Sequence, residues 1–328
     1  MTLLNIFYII IGVVLVLWGA DRLTEGASSL ARGMRVPEIV IGLTIVAAGT
    51  SAPEMFVSLV SALKGTADLA VGNVIGSNIF NTTLIVGCSA LVAPMVVSKS
   101  TVRKDIPFAV VASLLLFVLC FDDMDSPHLW GNEITRSDGV ILLIGFIGFM
   151  IYTFNTAKKE GLMPTEEELA ENAELPKDYS RLWRNLFWIA IGLACLIYGS
   201  NLFVDAATYV AHRFGVRQSV IGLTIVAGGT SLPELATSVV AAYKGRSAIA
   251  IGNVIGSNVF NILLILGVTA VINPLRIMGI TIVDLMMLLV TIGFMWLFAF
   301  TKFYVSRREG AVLVAFFLLY MGWLFYLI

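Results

Sequence analysis

Residues 41–87 recur at 221–267: thirty of these forty-seven positions are identical at a constant offset of 180. A chain of this kind folds one unit twice, and its architecture has to accommodate both copies. The correspondence continues more weakly outside the core of the repeat, where Gly19 falls on Gly199 and Ala27 on Ala207. An acidic-Gly pair, Asp138-Gly139, returns as Glu309-Gly310 at an offset of 171.

The medium in which the two copies fold follows from composition. The 328 residues are 58% hydrophobic and only 13% charged, where a soluble domain carries about 25% charged residues. A bilayer core takes about 20 apolar residues per helix. Stretches of that kind lie near 3–20, 38–62, 69–93, 106–121, 138–156, 185–211, 219–243, 248–272, 280–301 and 310–328. The expected fold class is therefore an all-α, polytopic membrane protein of ten transmembrane helices. The run Leu3 to Trp18 has no preceding Lys or Arg and no small-residue cleavage site after it, so it is read as a retained first span. With five spans per copy, an odd number, the second copy enters the membrane from the opposite side. This predicts two inverted five-helix repeats, an architecture of secondary transporters whose sites lie near the midplane.

Lys and Arg accumulate in cytoplasmic loops. Sixteen of the 21 fall in the first, third, fifth, seventh and ninth loops; only Lys64, Arg136, Arg213, Arg217 and Arg276 fall opposite. Both termini are thus expected outside a cell (inner or plasma) membrane. The expected domains are 1–157 and 185–328, joined by a cytoplasmic linker at 158–184. That linker contains Glu166, Glu167, Glu168 and Glu171 and reads as a solvated segment with a short helix capped at Thr165. Asp122, Asp123 and Asp125 read as a solvated outer loop. A net charge of −1 without clustered basic residues excludes nucleic acid as a partner. Cys88, Cys120 and Cys195 lie in apolar stretches and read as buried small hydrophobes.

The repeat carries polar residues that lipid-facing packing does not need. Gly49-Thr50-Ser51-Ala52-Pro53-Glu54 and Gly229-Thr230-Ser231-Leu232-Pro233-Glu234 each place a carboxylate inside an apolar span. A charged group there costs about 2.5–3.5 kcal/mol on insertion scales. Neither span contains Lys or Arg, so a cation from solution is the natural counter-charge. Pro53 and Pro233 lack an N–H and clash with the carbonyls of Gly49 and Gly229, which predicts Pro-broken helices at the midplane. Carbonyls of Ala47 or Thr50, and of Ala227 or Thr230, are candidates for release by that break. Thr50 and Ser51 precede Glu54 by four and three residues and share its helix face.

The following span reads Gly72-Asn73-Val74-Ile75-Gly76-Ser77-Asn78-Ile79-Phe80-Asn81, repeated as Gly252-Asn253-Val254-Ile255-Gly256-Ser257-Asn258-Val259-Phe260-Asn261. Its small residues permit close helix approach. Ser77 and Asn81, four apart, share a face. The candidate ligands are carboxylates, hydroxyls, amide oxygens and main-chain carbonyls, a set that suits a hard cation such as calcium, with its 6–8 oxygens. Zinc and copper prefer imidazole or thiolate. Asn73 and Asn253 read rather as helix-to-helix hydrogen bonders. An intramembrane enzyme is disfavoured, because there is no H-E-x-x-H and His128 and His212 lie at span ends.

With G-T-S-x-P-E followed about twenty residues later by G-N-x-x-G-S-N, twice over, the chain resembles the sodium/calcium exchanger family of the cation/calcium antiporter superfamily, in its short prokaryotic form. The resemblance implies a Na+/Ca2+ antiporter that exports Ca2+ by alternating access, with the first and sixth helices sliding across the rest. It implies cation ligation by the side chains of Glu54, Glu234, Ser51, Ser231, Ser77, Ser257, Asn81 and Asn261. Thr50 and Thr230, with Ala47 and Ala227, would add hydroxyl or main-chain oxygens. The partners implied are Ca2+, Na+ and the lipid bilayer, with no resident cofactor. Proton-coupled relatives carry G-N-x-x-E in place of this motif, and potassium-dependent ones have Asp where Asn261 stands. Sodium coupling is therefore favoured, with H+-coupled or K+-dependent exchange as the alternative. A passive cation channel fits the ligand set as well.

A proton and a cation neutralise the same carboxylate in alternative ways, so calcium affinity is expected to fall as pH drops from about 8 to about 5. Equilibrium calcium binding across that range checks it; a flat affinity contradicts the assignment.

Overall fold

A computed structural model describes residues 2–34, 36–120, 133–159, 179–214, 227–277 and 280–327. Most of the linker (160–178), the Asp122, Asp123 and Asp125 loop with His128, and residues 215–226, where the 221–267 repeat begins, lie outside them.

The described chain is predominantly helical. In the first half, α1 (Thr2–Met34) is followed by α2 (Glu38–Ile41), α3 (Ala47–Thr50), α4 (Ala52–Leu63), α5 (Ala67–Phe80), α6 (Val86–Val92), α7 (Ile106–Leu119) and α8 (Arg136–Lys159). The second half holds α9 (Tyr179–Arg213), α10 (Ala227–Thr230), α11 (Leu232–Tyr243), α12 (Ser247–Val259), α13 (Gly267–Ile272), α14 (Ile282–Lys302) and α15 (Arg307–Leu327). Several of these are pieces of one rod. α2 and α3 are joined by a π turn at Gly42–Val46, α5 and α6 by one at Asn81–Ile85, and α12 and α13 by one at Phe260–Leu266.

Six helical segments among the described residues are long and apolar enough to cross a bilayer, and the bent pair Glu38–Thr50 and Ala52–Leu63 makes a seventh if read as one span. Other expected spans rest on shorter elements: α7 has 14 residues, and α11 has 12 after its break. Leu69–Val92 and Ser247–Ile272 are the two most buried of the six, at 72% and 78%. The other four show 22–33% burial and present Leu17, Trp18, Ile144, Ile147 and Leu297 outward. Apolar side chains facing lipid around two central helices are the expected burial pattern for a protein dissolved in hydrocarbon.

Glycines set the closest helix approaches. A Cβ on Gly19 would lie 2.7 Å from the Gly192 carbonyl, and one on Gly12 would lie 2.8 Å from the Gly199 carbonyl, so α1 and α9 cross backbone to backbone. The acidic-Gly pairs also acquire a structural meaning. Asp138 accepts from the Thr135 N–H (2.8 Å) and hydroxyl (2.6 Å), and Glu309 accepts from the Ser306 N–H and hydroxyl (both 2.7 Å). These side chains cap the starts of α8 and α15. The glycine beside each then packs against a repeat glycine, Gly139 on Gly267 and Gly310 on Gly87, each with 2.8 Å from a built Cβ to the facing carbonyl.

Two small ribbons tie loops together. β1 (Met95–Val96) pairs antiparallel with β4 (Tyr304–Val305), and β2 (Glu133–Ile134) pairs antiparallel with β3 (Leu275–Arg276).

Candidate functional site

The break in the glutamate-bearing span falls at Ser51, two residues before the proline, where φ −81° and ψ 7° leave the helical ladder. Pro53 then sits in the first turn of α4, where its missing N–H costs nothing. The two pieces meet at 46°. Ser231 repeats this with φ −91° and ψ 8°, and Pro233 opens α11. Each break turns the serine and glutamate inward at the start of a fresh helix.

Glu54 is fully buried and Glu234 is 1% exposed. The copies cross over here: the Ser231 hydroxyl donates to Glu54 Oε1 and the Ser51 hydroxyl donates to Glu234 Oε1, both at 3.0 Å. Ser77 joins the first of these groups, its Oγ lying 3.3 Å from Ser231 Oγ. The Thr50 hydroxyl lies 3.1 Å from both the Val46 carbonyl and Asn253 Oδ1. Neither carboxylate is ion-paired among the described residues. No cluster of three or more His, Cys, Asp or Glu occurs there either, so a cation would meet two carboxylates and otherwise neutral oxygens.

Asn73 and Asn253 hold the glutamate helices from behind. The Asn73 amide donates to the Glu54 carbonyl (3.3 Å) and the Ser58 hydroxyl (3.1 Å), and the Asn253 amide donates to the Glu234 carbonyl (3.3 Å) and the Ser238 hydroxyl (3.0 Å). The helix-bonding reading of these two residues therefore fits the geometry. Ala47 keeps its place in the ladder, its carbonyl accepting from the Ser51 N–H at 3.0 Å, so the break does not release that oxygen. Ala227 begins α10.

Asn78 and Asn258 were not among the expected ligands, yet they orient two that were. Asn81 Nδ2 donates to Asn258 Oδ1 at 3.1 Å, and Asn261 Nδ2 donates to Asn78 Oδ1 at 2.9 Å. Asn78 Nδ2 in turn donates to the Asn258 carbonyl at 3.1 Å. These bonds use the nitrogen ends of the Asn81 and Asn261 amides and leave their oxygens without a partner among the described residues. The signal in the sequence was the three-residue spacing of Asn78 to Asn81 and of Asn258 to Asn261, which puts both on one face.

Five buried oxygens of the expected ligand set have no hydrogen-bond partner among the described residues: Glu54 Oε2, Glu234 Oε2, Asn81 Oδ1, Asn261 Oδ1 and Ser257 Oγ. A buried unsatisfied polar group costs about 1–3 kcal/mol, more if charged. Five together would cost about as much as the entire 5–15 kcal/mol stability of a typical protein. All five are oxygens and can bind a hard cation.

A sequence profile described as sodium/calcium exchanger protein matches residues 4–155 and 184–326. The chain belongs to the sodium/calcium exchanger family. It is 31% identical to sodium/calcium exchanger MaX1 of Methanosarcina acetivorans, with 100% of each chain covered. It is 38% identical to inner membrane protein YrbG of Escherichia coli, covering 81% of this chain and 79% of the relative. Among solved structures, the sodium-calcium exchanger NCX_Mj soaked with 10 mM Na+ and zero Ca2+ superposes with a TM-score of 0.83 at 30% identity, covering 98% of this chain and 99% of that one. Relatives of this family are transporters rather than enzymes, and the buried oxygen cluster lies in the motifs that carry the resemblance.

Replacing Asn258 by Ala removes the acceptor that holds the Asn81 amide. By analogy with the partners that orient metal ligands, this is expected to weaken cation binding about tenfold or more. Calcium-dependent thermal stabilisation of the purified protein measures it; unchanged stabilisation would remove Asn258 from the site.

Proposed function

We propose that the chain is a Na+/Ca2+ antiporter that exports Ca2+ in exchange for Na+ at one shared site formed by two inverted five-helix repeats. The observation that carries this is the set of five unpartnered buried oxygens, two from carboxylates, with hydroxyls crossing from each copy to the carboxylate of the other. The two carboxylates together carry −2, which one calcium ion neutralises alone and which sodium ions must neutralise jointly. Because the ions share ligands they bind in alternation, and that exclusion makes exchange rather than leak. If three sodium ions accompany each calcium, one net charge crosses per cycle, worth about 2.3 kcal/mol per 100 mV. Exchange is then voltage-sensitive.

In this reading residues 1–157 and 185–328 are the two repeats, the intervening linker is cytoplasmic, and both termini face outward. Contacts between loops support the sidedness, because segments that bond must share a membrane face. The third and ninth loops pair through β1 and β4, and Lys244 in the seventh loop meets Asp21 at 2.5 Å. All of these are assigned to the basic, cytoplasmic side. On the other side, the fourth and eighth loops pair through β2 and β3, and the Asn273 amide donates to the Ala62 carbonyl at 2.6 Å.

The test is uptake of radiolabelled calcium into sodium-loaded proteoliposomes diluted into sodium-free buffer, with Glu54→Gln and Glu234→Gln beside the parent. Uptake is expected to require internal sodium and to vanish in both variants. Uptake driven equally well by a pH gradient, or only with potassium present, would replace sodium coupling by the alternative. Calcium flux without counter-ion would make the protein a channel, and uptake unchanged in the variants would overturn the site.

A further inference from the structure

Two cavities differ in what lines them. One, of about 640 Å³, is lined by residues that include Glu38, Asp105, Arg246, Leu43 and Ile251; none of the candidate ligand residues lines it. The other, of about 550 Å³, runs between α5, α10, α14 and α15, from Ile280 past Gly228 and Gly76 to Ser77. Ser77 lies beside Ser231, which bonds Glu54, so this second cavity ends on the cluster itself. In the topology proposed above it opens on the outer face.

The second cavity has an almost wholly apolar lining, and Asp284 is the one charged side chain on it among the described residues. Asp284 sits in the first turn of α14 and is held from two sides. Its Oδ2 accepts from the Thr281 N–H (2.8 Å) and hydroxyl (2.7 Å), and its Oδ1 accepts from the Tyr320 hydroxyl at 2.6 Å. Those three donors fix the carboxylate in place, and none of them carries a positive charge. Thr281 and Asp284 form a complete capping box, which accounts for Oδ2. It does not account for Tyr320, which reaches across from α15 to the remaining oxygen at the cavity wall.

We propose that Asp284, fixed by Thr281 and Tyr320, is the charge that draws cations into this cavity and biases it towards calcium. The proposal rests on the reading of the chain as a Na+/Ca2+ antiporter. A fixed charge acts on an ion in proportion to the ion's own charge, so calcium feels twice the attraction of sodium. For one carboxylate about 10 Å from the ion in water, Coulomb's law gives an enrichment of about twofold for Na+ and about fourfold for Ca2+. Low-dielectric walls focus such a field into a cleft, and salt screens it. Asp284 is thus a specificity-determining residue that does not itself ligate the transported ion.

The test measures apparent affinities for external Ca2+ and Na+ in right-side-out membrane vesicles at low ionic strength, with everted vesicles reporting the cytoplasmic face. In Asp284→Asn the external affinity is expected to fall about fourfold for Ca2+ and about twofold for Na+. Maximal rate and cytoplasmic affinity stay at the parent values, and the loss shrinks at high salt. Tyr320→Phe keeps the charge and is expected to track the parent. Leu324→Lys puts a positive charge on the same lining and is expected to reproduce the loss without touching the Asp284 cap. Affinities equal to the parent in Asp284→Asn and Leu324→Lys would overturn the proposal. So would equal losses for the two ions or on the two faces, and so would a Tyr320→Phe defect matching that of Asp284→Asn, which marks a structural latch. Failure of the parent itself to exchange the ions would instead refute the antiporter reading.

Discussion

Two carboxylates buried in an apolar interior, with no basic side chain among the described residues to pair them, are the constraint around which the rest of this structure is arranged. An isolated ionised carboxylate moved out of water loses far more solvation energy than a few hydrogen bonds restore. Glu54 and Glu234 each receive a serine hydroxyl on one oxygen, while the other has no partner among the described residues. Charge balance therefore has to come from outside the chain. A protein whose interior is completed by a mobile ion is suited to carrying that ion. In the proposed reading both carboxylates face one cluster, so the carrier has one site to load and unload rather than two independent ones.

The scaffold delivers those oxygens by interrupting regular helices at defined places. Ser51 and Ser231 leave the helical ladder and let a new helix begin at Pro53 and Pro233, so each glutamate sits in a first turn, where the positive end of the helix dipole favours a negative charge. The π turn at Asn81–Ile85 opens on an asparagine of the proposed ligand set, and the one at Phe260–Leu266 contains its twin Asn261. Single π turns inside α-helices recur at functional sites because they re-aim side chains. Asn78 and Asn258 then hold those amides oxygen-inward by bonds between the copies. A lone copy could not supply them.

Much of this was legible in the sequence because it depended on local covalent facts. Duplication, apolar spans, buried Glu54 and Glu234 and the proline breaks all follow from residue type and spacing. The basic-residue count and the loop contacts agree on which loops share a face. What depended on the partner copy was not legible. Nothing in the spacing of Asn78 says that it bonds Asn261 rather than lipid-side neighbours, and the crossing of Ser51 to Glu234 needs the three-dimensional meeting of segments 183 residues apart. The break was expected at the carbonyls facing the prolines and occurs at the serines, because the ladder persists through the Ser51 N–H to the Ala47 carbonyl. Ten spans with Pro-broken glutamate helices were expected; the first glutamate span is bent at its break, and among the described residues six helices and that bent pair are long and apolar enough to cross a bilayer, with α7 only 14 residues long.

The central claim is that one set of oxygens serves both ions in turn. Equilibrium calcium binding to the purified protein in detergent, titrated with sodium at constant ionic strength, tests this most directly. The account predicts about one calcium per chain, displaced completely by sodium with a Hill slope above one, because several sodium ions replace each calcium at shared ligands. Calcium that stays bound at saturating sodium would show that the ions occupy separate sites, and would contradict the account.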